Sequence, residues 1–265
     1  MPQERDSIKF GNLVLLHREG EVAKLLLNRP GRHNSLIPQS LEEMIASLRF
    51  IQSDPQIRVI FLSSVGSSFS TGGDIKGFYD HLNDLESYAN EIVGLLNQVI
   101  LEMLLIPVPI VTAVHGIVTG GAIGFVLASD IVLVTPQASF TPYYSVVGFS
   151  PDGGWTAILP RIIGSKRVVE TLMTNRTITA EESVSWGMAT RLVSQDNIWI
   201  ETEKIIQQLI SMKSGSLECA KSLLRNSYGD IESMLESERQ KFVTQVVSTE
   251  AKQGMAVFLG IDDLG

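Results

Sequence analysis

The chain has 265 residues, 44% of them hydrophobic, enough for one large core or a core plus an accessory segment. Its formal net charge of −8, with Lys and Arg scattered and no basic stripe, argues against a nucleic-acid partner. Cys219 is the only cysteine, which excludes a disulfide framework and a thiolate metal site and fits a reducing, cytoplasmic compartment. Its expected role is that of a small buried hydrophobe.

The first residues, Met1-Pro2-Gln3-Glu4-Arg5-Asp6, are charged and contain no apolar leader, which leads to the expectation of a soluble protein. Leu13-Val14-Leu15-Leu16 and Val22-Ala23-Lys24-Leu25-Leu26-Leu27 flank Glu19-Gly20-Glu21, the pattern of an opening hairpin. Asn28-Arg29-Pro30-Gly31-Arg32 then forces an irregular loop. Leu41, Met44, Ile45 and Leu48 recur at helical spacing and predict a helix over 38–53, stopped by Asp54-Pro55. Val59-Ile60-Phe61-Leu62 reads as a strand buried on both faces, because its apolar run does not alternate. It leads into the glycine loop Ser70-Thr71-Gly72-Gly73-Asp74-Ile75.

The same order then repeats. A helical stretch over 84–105 precedes the buried strand Ile110-Val111-Thr112-Ala113-Val114 and a second glycine loop, Thr119-Gly120-Gly121-Ala122. The most apolar stretch, 95–118, is interrupted by Glu102, Pro107, Pro109 and His115 and does not read as a membrane span. Residues 122–129 suggest a short buried helix, and Ile131-Val132-Leu133-Val134 another buried strand. Strand, glycine turn and helix thus recur as an α/β pattern with crossovers, unevenly spaced for a simple solenoid. Beyond Val193, helices are predicted over 198–213, 217–226 and 231–247, with charges on one face and apolar residues on the other. The division expected is a core over 1–195 and a helical appendage for packing or assembly over 196–265.

A glycine pair just past a buried strand lets backbone approach a ligand without Cβ interference and aim N–H groups at developing negative charge. Two such loops brought together would form a two-donor oxyanion hole, suited to chemistry on a carbonyl compound.

Taken together, these landmarks resemble the crotonase (enoyl-CoA hydratase/isomerase) superfamily. The likeness is carried by Asn28-Arg29-Pro30 with Asn34-Ser35-Leu36, by Phe69 to Lys76, and by Ala113-Val114-His115-Gly116 through Gly120-Gly121 to Ser129-Asp130-Ile131. It continues through Ala138-Ser139-Phe140, Gly148 to Gly154, Leu159-Pro160-Arg161, Glu182 to Ala189 and Leu192-Val193. The ordered set is specific where any single motif is weak.

The resemblance implies a spiral of ββα units with a C-terminal helical region that assembles trimers, often paired into hexamers. It also implies an acyl-CoA thioester substrate whose enolate is stabilised without metal or redox cofactor. By position, the backbone N–H groups of Gly73 and Gly121 would be the oxyanion donors. The acyl-CoA would contact the loop at Ser35 and Leu36 with Arg32, and Thr71, Asp74, Ile75 and Gly120 from the glycine loops. Arg29 and Lys76 are further candidates for the CoA phosphates. The family's basic tail has no match in Ile261-Asp262-Asp263-Leu264-Gly265.

Family hydratases carry two glutamates that handle the added water, and here those positions are Gly124 and Tyr144. Glycine cannot titrate, and a phenol of pKa about 10 is a poor base near neutrality. What remains is Asp152, in Ser150-Pro151-Asp152-Gly153-Gly154-Trp155, which matches a turn where several isomerases of the superfamily carry an aspartate. One carboxylate beside an oxyanion hole suffices to take a proton from Cα and return it at Cγ. The competing role for Asp152 is a helix N-cap. For Tyr144, alone or with Tyr143, the choice is between a hydrogen bond to the thioester oxygen and aromatic wall packing. Gly124 either permits close helix packing or opens space for a bulky acyl group, and His115 reads as a structural hydrogen-bonding residue. The leading expectation is an enoyl-CoA isomerase. The alternatives are a generic hydratase, another CoA-thioester reaction such as hydrolysis, decarboxylation or ring chemistry, and a non-catalytic acyl-CoA-binding protein.

Overall fold

A computed structural model describes residues 5–225 and 229–261. The hairpin expected from the opening residues is formed by β2 (Val14–Glu19) and β3 (Val22–Leu27), with β1 (Arg5–Ile8) paired antiparallel to β2. From β3 the sheet continues in parallel through β4 (Val59–Ser64) and β5 (Ile110–Val114). The strands β6 (Ile117–Thr119), β7 (Ile131–Val134), β8 (Ser139–Thr141), β9 (Ile178–Thr179) and β10 (Arg191–Leu192) complete the set. Seven strands form one sheet in the order β1-β2-β3-β4-β5-β7-β10, and β6-β8-β9 form a second.

The second sheet is extended by isolated parallel bridges, Leu36 with Gly73 and Ser70 with Val118. Each pass of the chain therefore lays one segment in the large sheet and the next in the small one: β4 then Ser70–Gly73, β5 then β6, β7 then β8. That is the ββα spiral. Both glycine loops arise where the chain turns from one sheet towards its helix.

The helices are α1 (Pro38–Ser53), α2 (Ile75–Asp80), α3 (Leu85–Leu105), α4 (Ile123–Leu127), α5 (Tyr144–Val147) and α6 (Leu159–Ile163). They are followed by α7 (Ser165–Thr174), α8 (Ala180–Ser185), α9 (Ile198–Ser211), α10 (Ser214–Arg225), α11 (Ile231–Val246) and α12 (Thr249–Phe258). Proline at N1 starts α1, where a missing N–H costs nothing, and the Ser40 hydroxyl accepts the Ile37 N–H at 3.0 Å. The short buried helix expected over 122–129 is split into a 3-10 turn, Gly120–Ala122, and α4.

The unbroken apolar runs have a structural cause. Alternate residues of β4 and β5 enter different cores: Ile60, Leu62, Ile110 and Val114 join the main one, while Val59, Phe61, Val111 and Ala113 join a second. The second core is closed by Ile198, Ile205 and Ile206 of α9. On the other side, α11 packs along α3 and contributes Leu235, Phe242 and Val246 to the main core. Burying each such side chain is worth about 1.5–3 kcal/mol.

One expectation is overturned. Cys219 is exposed, because α10 buries none of its residues within this chain. Asn226, placed in that helix from the sequence, lies outside the described residues, as do the first four residues and 262–265. Among the described residues no helix is long and apolar enough to cross a membrane, and no group of three or more His, Cys, Asp or Glu could hold a metal ion.

Candidate active site

Parallel pairing of β4 with β5 sends both glycine loops out at the same end of the sheet. The Ser70–Val118 bridge joins them, with the Thr119 N–H donating to the Ser70 carbonyl at 3.0 Å. Gly72 (φ +70°) and Gly120 (φ +52°) take left-handed backbone there. A Cβ on Gly72 would stand 2.6 Å from the Thr119 carbonyl oxygen, so the loops meet backbone to backbone and only glycine fits.

The two peptide units that carry the candidate donors are each held from the carbonyl side. The Gly72 carbonyl accepts the Leu36 N–H at 2.7 Å, and the Gly120 carbonyl accepts the Trp155 indole N–H at 2.9 Å. In a trans peptide the C=O and the following N–H point opposite ways. These anchors therefore fix the directions of the Gly73 and Gly121 amides. Among the described residues the Gly73 amide has no partner, and the Gly121 amide precedes the first internal bond of its 3-10 turn. Both glycines line a cavity of about 630 Å³.

Asp152 lines the same cavity and is 5% exposed. The Tyr144 hydroxyl donates to Asp152 Oδ1 at 2.6 Å and lies 3.2 Å from the Asp152 carbonyl oxygen, a second acceptor. A Cβ on Gly121 would lie 2.8 Å from that Oδ1, so the carboxyl sits against the second glycine loop. Burial pushes the Asp152 pKa up to about 7. The Tyr144 hydrogen bond and the residue's own amide oppose the rise, and the charge of Glu238 adds to it. Tyr144 is held well above its usual range by burial, then by the Asp152 charge and the hydrogen bond to it, so the phenol keeps its proton.

Asp152 is not a helix cap: residues 153–158 form turns, and α6 starts only at Leu159, behind Ile158. The amides of that turn go to another residue. Glu238 of α11 accepts the N–H groups of Gly154 (2.8 Å), Thr156 (2.7 Å) and Ala157 (2.9 Å), and the Thr156 hydroxyl (2.6 Å). Four donors suit a carboxylate, while burial raises the Glu238 pKa against them. Sequence reasoning missed Glu238 and Trp155. The signal for Glu238 was present: Ile231, Leu235, Glu238, Phe242 and Val246 share the buried stripe of α11, so an acid stands where the period requires an apolar residue.

The open question at Gly124 resolves as close packing. A Cβ there would stand 2.4 Å from Ile100 Cδ1 and 2.9 Å from the Gly153 carbonyl, and Gly124 does not line the cavity. No glutamate fits on this backbone. Tyr144, at the other glutamate position, neither packs as a bare wall nor offers its proton to a ligand, since Asp152 takes it. His115 is buried away from the cavity, with Nε2 at 2.8 Å from the Gly66 carbonyl.

All the other binding candidates reach the cavity: Arg32, Ser35, Leu36, Thr71, Asp74, Ile75 and Gly120. Asp74 ties the mouth together, accepting Arg29 Nη1 at 2.7 Å and Arg32 Nη2 at 3.2 Å. Burial raises its pKa, but the two guanidiniums outweigh that and hold it below the usual value. Arg29 also donates to the Ser35 hydroxyl at 2.6 Å and does not line the cavity, so it braces the loop. Lys76 pairs with Asp80 at the rim.

A buried carboxyl that has no ion-pair partner among the described residues, beside two glycine amides in a spiral of paired sheets, defines a class of protein. Residues 17–261 match the family described as Enoyl-CoA hydratase/isomerase, and the chain belongs to that family, an acyl-CoA enzyme of the crotonase superfamily. It is 29% identical over 245 residues to 4-chlorobenzoyl coenzyme A dehalogenase-2 from Arthrobacter sp, covering 91% of this chain and 88% of that one. It is 25% identical to 1,2-epoxyphenylacetyl-CoA isomerase from Escherichia coli (strain K12), covering 93% and 95%. The fold matches a crystal structure of enoyl-CoA hydratase from Bacillus halodurans with TM-score 0.87 at 22% identity, covering 92% and 99%.

Proposed function

We propose that this protein is an enoyl-CoA isomerase that moves a β,γ double bond of an acyl-CoA thioester into the α,β position. The observation that carries the reading is the buried Asp152 carboxyl, without an ion-pair partner among the described residues and pushed up to a pKa of about 7, against the Gly121 loop. Ionised Asp152 removes a proton from Cα. The electron pair moves into the thioester, and the enolate oxygen accepts hydrogen bonds from the Gly73 and Gly121 amides. Protonated Asp152 returns the proton at Cγ, which regenerates the carboxylate and leaves the α,β-unsaturated product. A base with pKa near the operating pH suits both half-steps.

Tyr144 holds the carboxyl in place through both. Arg32, half exposed at the mouth, is the cation best placed for a CoA phosphate, with Ser35, Leu36, Thr71, Asp74, Ile75 and Gly120 along the thioester arm. The chemistry needs no metal or redox cofactor. The fill of position 124 disfavours water addition by two glutamates. Assembly into trimers or hexamers through the C-terminal helices, and a cytoplasmic location, belong to the same proposal.

The test is a panel of a 3-enoyl-CoA, a 2-enoyl-CoA, a malonyl-type thioester and a 4-halobenzoyl-CoA. Absorbance of the conjugated thioester, free thiol and halide release report which reacts. Conjugation of the 3-enoyl thioester alone is expected. Hydration of the 2-enoyl thioester, thiol release or halide release as the dominant activity overturns the assignment; halide release is included because of the dehalogenase relative.

A further inference from the structure

We infer that the acyl group bound here ends in an aromatic ring. This deepens the isomerase reading and rests on its assignment of the cavity to an acyl-CoA. Three phenylalanines from three separate elements converge on the cavity: Phe78 of α2, Phe149 after α5, and Phe242 of α11. Their ring centroids are 5.3 Å apart for Phe78 and Phe149, 5.7 Å for Phe78 and Phe242, and 5.2 Å for Phe149 and Phe242. Interplanar angles of 63° and 69° set Phe149 in edge-to-face contact with both neighbours, at the wall of the cavity. An incoming ring meets edge-to-face partners in such a cluster, a geometry worth more than burial alone and one an alkyl chain cannot use.

The position of the cluster fixes where the ring falls. A Cβ on Gly73 would be 3.0 Å from Phe78 Cε2, so the aromatic wall begins beside the amide assigned to the thioester oxygen. The ring therefore sits within a few carbons of the carbonyl. Phe78 is backed by Tyr88, whose ring meets it at 87° and 5.2 Å, and is 2% exposed, packed on both sides. Ile92, Val93 and Leu96 of α3 also line the cavity and supply an aliphatic surface that has no preference between ring and chain.

The experiment compares thioesters of equal carbon count on the full-length wild-type protein by titration calorimetry: phenylacetyl-CoA with octanoyl-CoA, and 4-phenylbutanoyl-CoA with decanoyl-CoA. Two or three edge-to-face contacts predict about tenfold tighter binding of each aryl thioester than of its alkyl partner. Phe242→Leu and Phe149→Leu keep apolar bulk and should bring each pair to within about twofold. Alkyl thioesters that bind as tightly as their aryl counterparts, or a preference unchanged in both Leu variants, overturn the inference while leaving the acyl-CoA reading intact. If none of the four binds, that reading fails and this one with it.

Discussion

Asp152 is a carboxyl whose environment sets both its chemistry and a cost in stability. An unfolded Asp loses its proton near pH 4, whereas burial holds this one to about 7. Between those values the folded chain binds more protons than the unfolded one, so stability falls as pH rises through the window. Asp152→Asn should therefore be more stable than wild type above pH 7, by up to about 4 kcal/mol, with the gap closing towards pH 4. Thermal unfolding of both proteins from pH 4 to 8 checks this, and parallel curves would speak against a desolvated carboxyl. Tyr144 acts the other way, since its hydrogen bond favours the ionised form. Tyr144→Phe should move the alkaline-rising limb of kcat/KM above about 7 and cut the rate at neutrality about tenfold. A limb that stays in place or moves to lower pH contradicts the assignment of Asp152 as the base.

The turn after Asp152 depends on α11 rather than on the helix that follows it. Glu238 gathers three amides and a hydroxyl there, and its charge lifts the Asp152 pKa. A carboxamide accepts through one atom and turns two donors against the remaining amides. Glu238→Gln should lower stability by about 1–3 kcal/mol and shift the kcat/KM limb below about 7, as chemical denaturation and a pH profile would report. Lost stability with an unmoved limb would reduce Glu238 to scaffolding. This dependence explains what the sequence concealed. Asp152 before two glycines has the composition of an N-cap, but Gly153 (φ +65°) and Gly154 (φ +91°) take left-handed backbone, and the Gly154, Thr156 and Ala157 amides turn to Glu238 of α11, more than eighty residues away in the chain. The glycine loops were legible because each glycine pair follows a buried strand, although what excludes a Cβ on Gly72 is the backbone of the other loop. Cys219 failed for the opposite reason, since a helix whose apolar residues face outward still reads as amphipathic.

Across the whole molecule, the large sheet is covered on both faces. α1 and α3 close one face, with α11 packed against α3, and α9 closes the other. The continuous apolar strands announced that arrangement in advance, whereas the partner of each face was a matter of tertiary contact. On the outside, Leu105, Met173, Leu223 and Val257 are 58%, 77%, 72% and 79% exposed, and Arg225 binds the Leu105 carbonyl so that α10 lies beside the end of α3. So much apolar side chain on and around the C-terminal helices is suited to contacts between copies of the chain. Sedimentation should give three or six times the 29.1 kDa of one chain, and a monomer at micromolar concentration would refute the proposed assembly.

One comparison bears on the whole proposal at once: conversion of a 3-enoyl-CoA to its conjugated isomer by wild type and by Asp152→Asn, with thioester affinity measured in parallel. The proton shuttle predicts a rising conjugated-thioester absorbance for wild type and at least about a thousandfold loss for the variant, with binding retained. Comparable turnover by the variant, or a wild type that binds the thioester and leaves its double bond in place, would contradict it.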